Sequence, residues 1–426
     1  MYQRTWTLGL EAQEDDTPEA LEPIITEEPS ESVEATDLEV NEANDDLEAT
    51  DRQAEDLADD ISDLQTVHDV VADSLSDGGC EVSNARLIDV ATESFCSRWD
   101  IPRAAVACEA MAYATPSVRA NVACEGIMDT IKAGIKRLIE FIKSVIGKLK
   151  SFFSAAQELP AKLIERATKL EAVATERTDK EFNRKKWVVG AWSKNISMGG
   201  ELKPKEIFNR PGKIINTTEF IFEDLVELAN VMVEKINATA SESMAKRLKL
   251  RFFGSESMPA QMKQKLGRLT NDAKIVSFPG ELYLVGERMV FQGVDDPVAK
   301  SANEYKMSYI IGEIDHNQAS IDPPSHDDIS KAIHAAKEFA EALKKHTDAK
   351  GDYEKRLEIM EQGISVLEKT ASGADSMEKI DWNILIEDRR REMSNFRVLS
   401  QMMLISLRNA ANGMLAYAEA GLRCYA

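Results

Sequence analysis

The chain has 426 residues, 74 of them acidic and 52 basic for a net charge of −22, with 6 % aromatic residues and five cysteines. This length allows two or three domains and a substantial core, and scarce aromatics beside plentiful Leu, Ile, Ala, Glu and Lys favour helices. No stretch approaches the ~18 uncharged apolar residues of a membrane span, the N-terminus has no secretory apolar run, and Cys80, Cys96, Cys108, Cys124 and Cys424 form neither a CxxC pair nor an even framework, so reduced thiols in an intracellular setting are expected.

The charge is not evenly spread. Residues 1–125 hold 31 acidic and 6 basic side chains, a net of −25, whereas residues 126–426 hold 43 acidic and 46 basic, a net of +3. Residues 11–50 contain 16 acids, no bases and three prolines, a composition that reads as disordered. Over 53–76 the spacing of Leu57, Ile61, Leu64, Val67, Val70 or Val71, and Leu75 predicts an acidic amphipathic helix, stopped by Asp77-Gly78-Gly79 and in need of a partner for its apolar face. An internal echo follows: the heptapeptide from Arg103 to Glu109 recurs sixteen residues later from Arg119 to Glu125, with six of seven residues matching.

From Gly126 to Phe153 a helical stripe of Ile127, Ile131, Ile135, Leu138, Ile142, Val145, Leu149 and Phe152 opposes Lys132, Lys136, Arg137, Lys143, Lys148 and Lys150. Such a segment either lies on an anionic membrane or partner groove, or is the first helix of a bundle with its stripe in the core, and the bundle reading comes first. Gly134 and Gly147 should weaken it by about 1 kcal/mol each relative to Ala. Helices are expected over Leu159–Val173 and Glu219–Ile236, with a basic loop over Lys185–Pro211 that is broken at Met198-Gly199-Gly200 and anchored by Trp187 and Trp192.

The period then changes. Lys274–Phe278, Leu282–Val285, Glu287–Gln292 and Tyr305–Ile314 are β-branched or aromatic runs between turn residues, which predict a small antiparallel sheet within 271–321. Ser325 with Asp328 forms a capping-box pattern ahead of Ile329, Ile333, Ala336, Phe339 and Leu343. Helices over 352–370 and 387–423 complete the chain, the last one striped by Met393, Phe396, Met403, Leu407, Met414 and Tyr417. The fold class is therefore mainly α: a disordered acidic leader, then a multi-helix body with a small antiparallel β insertion. The divisions are 1–125, 126–270, 271–321 and 322–426.

Chemistry is harder to find. His316 with Asp315, and His326 with Asp327 and Asp328, offer ligand types but no further ligand at metal spacing, so they read as solvated turns. His334 reads as a boundary residue beside its helix's apolar stripe. The arginines at 389, 390 and 391 fan out on a helix beside Glu387 and Asp388 and read as a salt-bridged surface. No nucleophile elbow, P-loop, zincin or dinucleotide motif occurs. No enzyme, cofactor, metal or small-molecule substrate is expected.

At Ala123-Cys124-Glu125 the residues reach a family. The acidic leader, the small-x-Glu tripeptides Ala107-Cys108-Glu109 and Ala123-Cys124-Glu125, the strand around Phe278–Leu284 and the terminal helix ending at Arg423 resemble the internal head proteins of large tailed bacteriophages. The resemblance implies a virion structural protein. Such a protein is packaged in the head as a precursor from the host cytoplasm, assembled with scaffold, core and capsid proteins, cut after Glu by a prohead protease, and in some cases ejected with DNA. On that reading Ala123, Cys124, Glu125 and Gly126 form the main processing site, with Ala107–Glu109 and Ala91–Glu93 secondary. Ala174-Thr175-Glu176 and Ala302-Asn303-Glu304 also fit the pattern, but Glu125 alone stands where the charge changes sign. Non-specific DNA contact and membrane contact through 126–153 stay open. The alternatives are a membrane-active effector restrained by its leader, and an uncleaved scaffold-type binding protein.

Overall fold

The computed structural model describes residues 29–74, 79, 81–102, 114–183, 187, 189–190, 192–219, 276–280, 282–288, 305–311, 321–373 and 376–425. Among them the chain is mainly α-helical. Helix α1 (Pro29–Ser74) is followed by α2 (Val82–Trp99), α3 (Pro116–Ala155) and α4 (Leu159–Glu176). A short α5 (Trp192–Ile196), the hairpin β1 (Ser197–Met198) and β2 (Glu201–Leu202), and α6 (Pro204–Asn209) come next. Strands β3 (Val276–Phe278), β4 (Leu282–Arg288) and β5 (Tyr305–Ile311) form an antiparallel sheet in that order, before α7 (His326–Asp348), α8 (Lys350–Gly373) and α9 (Ser376–Cys424).

The leader departs most from expectation. Residues 29–50, read as disordered, are the first part of a 46-residue helix, and the helix read from 53 starts at Pro29. The reason is a heptad that composition hides. Val33, Val40, Leu47, Ala54 and Ile61 recur every seventh residue, and Thr36, Ala43, Thr50, Leu57, Leu64 and Val71 follow each register three positions later. All of these are buried except Ala43, which is half-buried. The apolar content is low, but it lies in one stripe that other helices cover, and tertiary burial supplies what local propensity lacks. Of the two valines that fit the period, Val71 is buried and Val70 is 65 % exposed.

Helix α3 also starts early. Thr115 caps it, its Oγ1 accepting from the Val118 N–H at 3.4 Å, and Pro116 occupies the first turn. The helix therefore runs through Glu125 and Gly126, and the change in charge sign coincides with no break in the backbone. Its isoleucine stripe is core, with Ile127, Ile131, Leu138, Ile142, Val145, Leu149 and Phe152 each at most 3 % exposed. Gly134 proves to be a packing requirement rather than a weakness: a Cβ there would lie 2.9 Å from Phe95 and 3.1 Å from Ile61, so glycine lets α1 and α2 close on α3.

Helix α9 is the axis of the body. From Met393 to Tyr425 it is buried on nearly every side, which is the pattern of a central helix rather than a one-faced surface helix. Arg390 is buried too, whereas its charged neighbours in sequence point to a salt-bridged surface. The helix end is capped by a distant side chain, the Arg177 Nη1 donating to the carbonyls of Leu422 (2.7 Å) and Tyr425 (3.2 Å). Arg423 pairs instead with Glu419 at 2.8 Å.

Between α4 and the sheet, the expected loop contains α5, a hairpin turning at Gly199-Gly200, and α6. Its tryptophans are anchored as expected: Trp187 and Trp192 both meet the Tyr417 ring, and the Trp187 Nε1 donates to the Ile321 carbonyl at 3.0 Å. The two runs around Gly286 are one strand, paired throughout with β5. The Ser325–Asp328 capping box forms in both directions, each bond 3.1 Å. The expected helix of 219–236 lies beyond Glu219 outside the described residues, as does the 312–314 end of the last run.

His346, near the end of α7, is fully buried, and burial pulls its imidazole from 6.5 down to about 4, with Lys345 adding to the effect and Glu219 opposing it. The unfolded chain therefore binds this proton first. The contribution of His346 to stability should be level above about pH 6.5 and fall as pH drops from there toward 4, by roughly 3 kcal/mol in all. Urea midpoints across that range, compared with His346→Leu, check this: the variant should lack that part of the slope.

Candidate functional site

The heptad stripe places α1 along three other helices. It runs antiparallel to α3, with Ile61 facing Gly134 and the Asp46 carboxylate 3.2 Å from the Lys148 Nζ. Further toward its N-terminus it reaches α4, where the Lys162 Nζ donates to the Thr36 Oγ1 at 2.6 Å. Its C-terminal half also meets α2, the Asp60 carboxylate accepting from the Arg98 Nη1 (2.9 Å) and the Trp99 Nε1 (2.8 Å).

A second face of α1 carries a polar ladder onto α9. Asn412 donates to Asp37 (2.5 Å), Arg408 to Asn41 (2.7 Å) and Gln401 to Asn44 (2.8 Å). Asp51 takes both the Arg397 Nε (2.9 Å) and the Ser394 Oγ (2.7 Å). As numbers rise on α1 they fall on α9, so the two helices are antiparallel and every rung fixes the same register. The Asp51–Arg397 rung is buried, with side chains 5 % and 11 % exposed. Burial raises the Asp37 carboxyl above its ordinary value despite Arg408 and Asn412, because the nearest Arg408 nitrogen in the pair is 4.0 Å away. Burial likewise lowers the Arg408 guanidinium, with Asp37 opposing. The Asp51 Oδ1 is buried without a hydrogen-bond partner among the described residues, so the ladder specifies register more than it adds stability.

The opposite side of α1 faces water with Glu34, Glu42, Asp45, Asp59 and Asp63, an acidic ridge along the helix. The acidic N-terminal part is thus a two-faced cover, apolar and polar inward, anionic outward.

The residues expected to be cut lie in different surroundings. Ala123 is buried, Cys124 and Gly126 are half-buried and Glu125 is exposed, all four within α3. Ala91 and Glu93 are exposed but helical, in α2. Ala107, Cys108 and Glu109 are outside the described residues. A further match went unnoticed in the sequence: Gly79-Cys80-Glu81, between α1 and α2. Glu81 is exposed with φ −72° and ψ 157°, an extended backbone just ahead of α2. The signal was present, since Gly79 belongs to the break that ends α1, and small-x-Glu includes glycine.

The histidines read as turn or boundary residues are resolved individually. His326 lies against the Tyr425 ring at 3.9 Å between centroids, and the neighbouring Asp328 is held below the ordinary carboxylate range by its bonds to Ser325 and Lys205, which outweigh the upward push of burial. His334 is exposed beside Glu338 at 3.2 Å. His316 is outside the described residues. Among the described residues no three His, Cys, Asp or Glu converge as metal ligands, and no helix is long and apolar enough to cross a membrane.

The fold is thus a long central helix wrapped by others, with an acidic N-terminal helix seated on the body, and comparison with known families gives it a place. The description "phiKZ-like phage internal head proteins" matches residues 42–420, nearly the whole chain from the middle of α1 to the end of α9. The chain belongs to this family, which places it inside the phage head as part of the virion. No curated protein and no solved structure gives a significant match.

Proposed function

We propose that this internal head protein is made as a precursor whose residues 1–125 are a covering prosegment, removed by cleavage after small-x-Glu, and that its role is structural rather than enzymatic. The single observation that carries the reading is α1: 16 acidic residues and one arginine, a net of −15 in a chain of −22, lie in a helix that covers the apolar stripe of α3 and pairs Lys148, Arg397 and Arg408. While it is seated, the body presents an acidic ridge suited to coassembly with scaffold and core proteins. Once it is gone, the remainder is nearly neutral and uncovers those cations, which suits it to the interior of a head filled with polyanionic genome.

Cleavage after Glu125 requires the first turns of α3 to unwind, because proteases take exposed, locally opened chain. Glu81 lies one residue ahead of α2, so cutting there opens only the first turn of that helix, where the Ala85 N–H donates to the Glu81 carbonyl at 3.0 Å. We therefore expect Glu81 to be cut before Glu125, with the prohead protease as the partner.

N-terminal mass spectrometry along assembly tests this. Early particles should yield a chain beginning at Val82 and mature particles one beginning at Gly126. Protein from mature heads that still begins at residue 1 would overturn the prosegment reading.

A further inference from the structure

We propose that α1 is an exchangeable helix, and that the groove of α3, α4 and α9 that holds it also receives α1 from a second copy of this chain, joining precursors before any cleavage. The proposal does not depend on residue 125 being cut.

Every contact that seats α1 lies on elements that follow it in the chain: Lys148 on α3, Lys162 on α4, Arg98 and Trp99 on α2, and the ladder on α9. A second copy offers the same surface in the same register, so exchange needs no new interface and no redesign. The ladder also restricts the occupant. A helix with no carboxylate at this rung, or α1 slipped by a heptad so that Asn44 or Ala58 stands there, would leave the buried Arg397 facing no carboxylate, and an unpaired buried charge is far costlier than the pair is stabilising. The anionic ridge works in the same direction, since chains of net charge −22 repel one another unless a specific contact overcomes it.

The connection allows the exchange. Seven residues, 75–81, join α1 to α2, and when extended they span about 23–25 Å, enough to carry α1 to an adjacent molecule. Within it, Gly79 is held in one arrangement in the closed form. The Gly79 N–H donates to the Ser74 carbonyl at 2.8 Å, its φ is +98°, and a Cβ on it would stand 2.3 Å from the Pro116 backbone. Only glycine fits there, so a side chain at 79 penalises the closed turn and leaves the open one untouched. Short turns with this property are those in which exchange is most readily provoked.

Two full-length single variants, Asn44→Cys and Gln401→Cys, test the idea, because the native side chains at these positions touch across the α1–α9 ladder. Neither chain alone can join 44 to 401. The two are mixed, concentrated, treated with a short bis-maleimide and mapped by peptide mass spectrometry, beside the Asn44→Cys/Gln401→Cys double variant as the same-chain control. Exchange predicts an interchain 44–401 adduct that grows with concentration and increases at least ~5-fold when Gly79→Ala is added to both chains, since forcing a side chain into that backbone costs on the order of 1 kcal/mol or more. A control that cross-links while the mixture gives no 44–401 adduct, with or without Gly79→Ala, overturns the proposal, as does a dimer linked only through other cysteines.

Discussion

A chain lacking residues 1–81 should collect in the insoluble fraction, whereas the full chain stays soluble. The truncation removes α1 alone among the described helices and leaves α2 on α3. It strips the cover from a row of isoleucines and leucines that the full chain keeps out of water, and each large side chain returned to solvent forgoes about 1.5–3 kcal/mol. It also unpairs Arg397, Arg408 and Lys148 together. Typical domains have only about 5–15 kcal/mol to lose, so a chain that must fold without α1 exposes enough apolar surface to associate before it reaches a head, whereas one cut after folding there does not face that step in the cytoplasm. The measurement is the soluble fraction after expression, followed by rescue with residues 1–81 supplied as a separate chain. A soluble, monomeric truncation with a cooperative thermal transition would show that α1 is an accessory rather than a cover.

The second large effect is expected at a single rung. Asp51→Ala should destabilise the full chain by about 3–5 kcal/mol, because it leaves the Arg397 guanidinium buried without its carboxylate and the Ser394 hydroxyl without its acceptor. Asp45→Ala, one to two turns away on the exposed ridge, should stay within about 0.5 kcal/mol of the parent. Replacing both partners, Asp51→Leu with Arg397→Met, should recover most of the loss, since a buried pair exchanged for apolar groups is close to neutral. Urea unfolding of the four proteins decides it. If Asp51→Ala proves as mild as Asp45→Ala, the rung is solvated in solution and does not set the register of α1.

Much of the helical body could be read from residue spacing. The stripes of α3, α7 and α9, the Ser325–Asp328 box and the runs that became β3, β4 and β5 depend on neighbours within a few positions, and so they show in any window of the chain. The leader could not be read that way. Window composition over 11–50 is dominated by carboxylates, and it conceals Val33, Val40 and Leu47, whose period only matters because a distant groove is present to bury them. For the same reason α3 was read as starting at the charge boundary: Ala120 and Ala123 are too small to mark a stripe in sequence, yet both are buried. The charged neighbours Glu387 and Asp388 place the arginine at 390 on a salt-bridged surface, whereas in the fold it is buried.

The sequence by itself determined that the net negative charge is confined to the first 125 residues, that the body is helical with a small antiparallel insertion, and that small-x-Glu tripeptides lie in the acidic part. Each of these is a property of composition or short period, which needs no partner to be visible. Only the tertiary structure decided that residues 29–74 of the acidic part are a packed helix rather than a free tail, that the charge boundary falls inside α3, and that Asp37, Asn41, Asn44 and Asp51 meet α9 rung by rung. The seating of α1 depends on contacts between residues 102 to 375 positions apart, from Asp46–Lys148 to Asp37–Asn412, and burial at such separations is set by how whole helices pack.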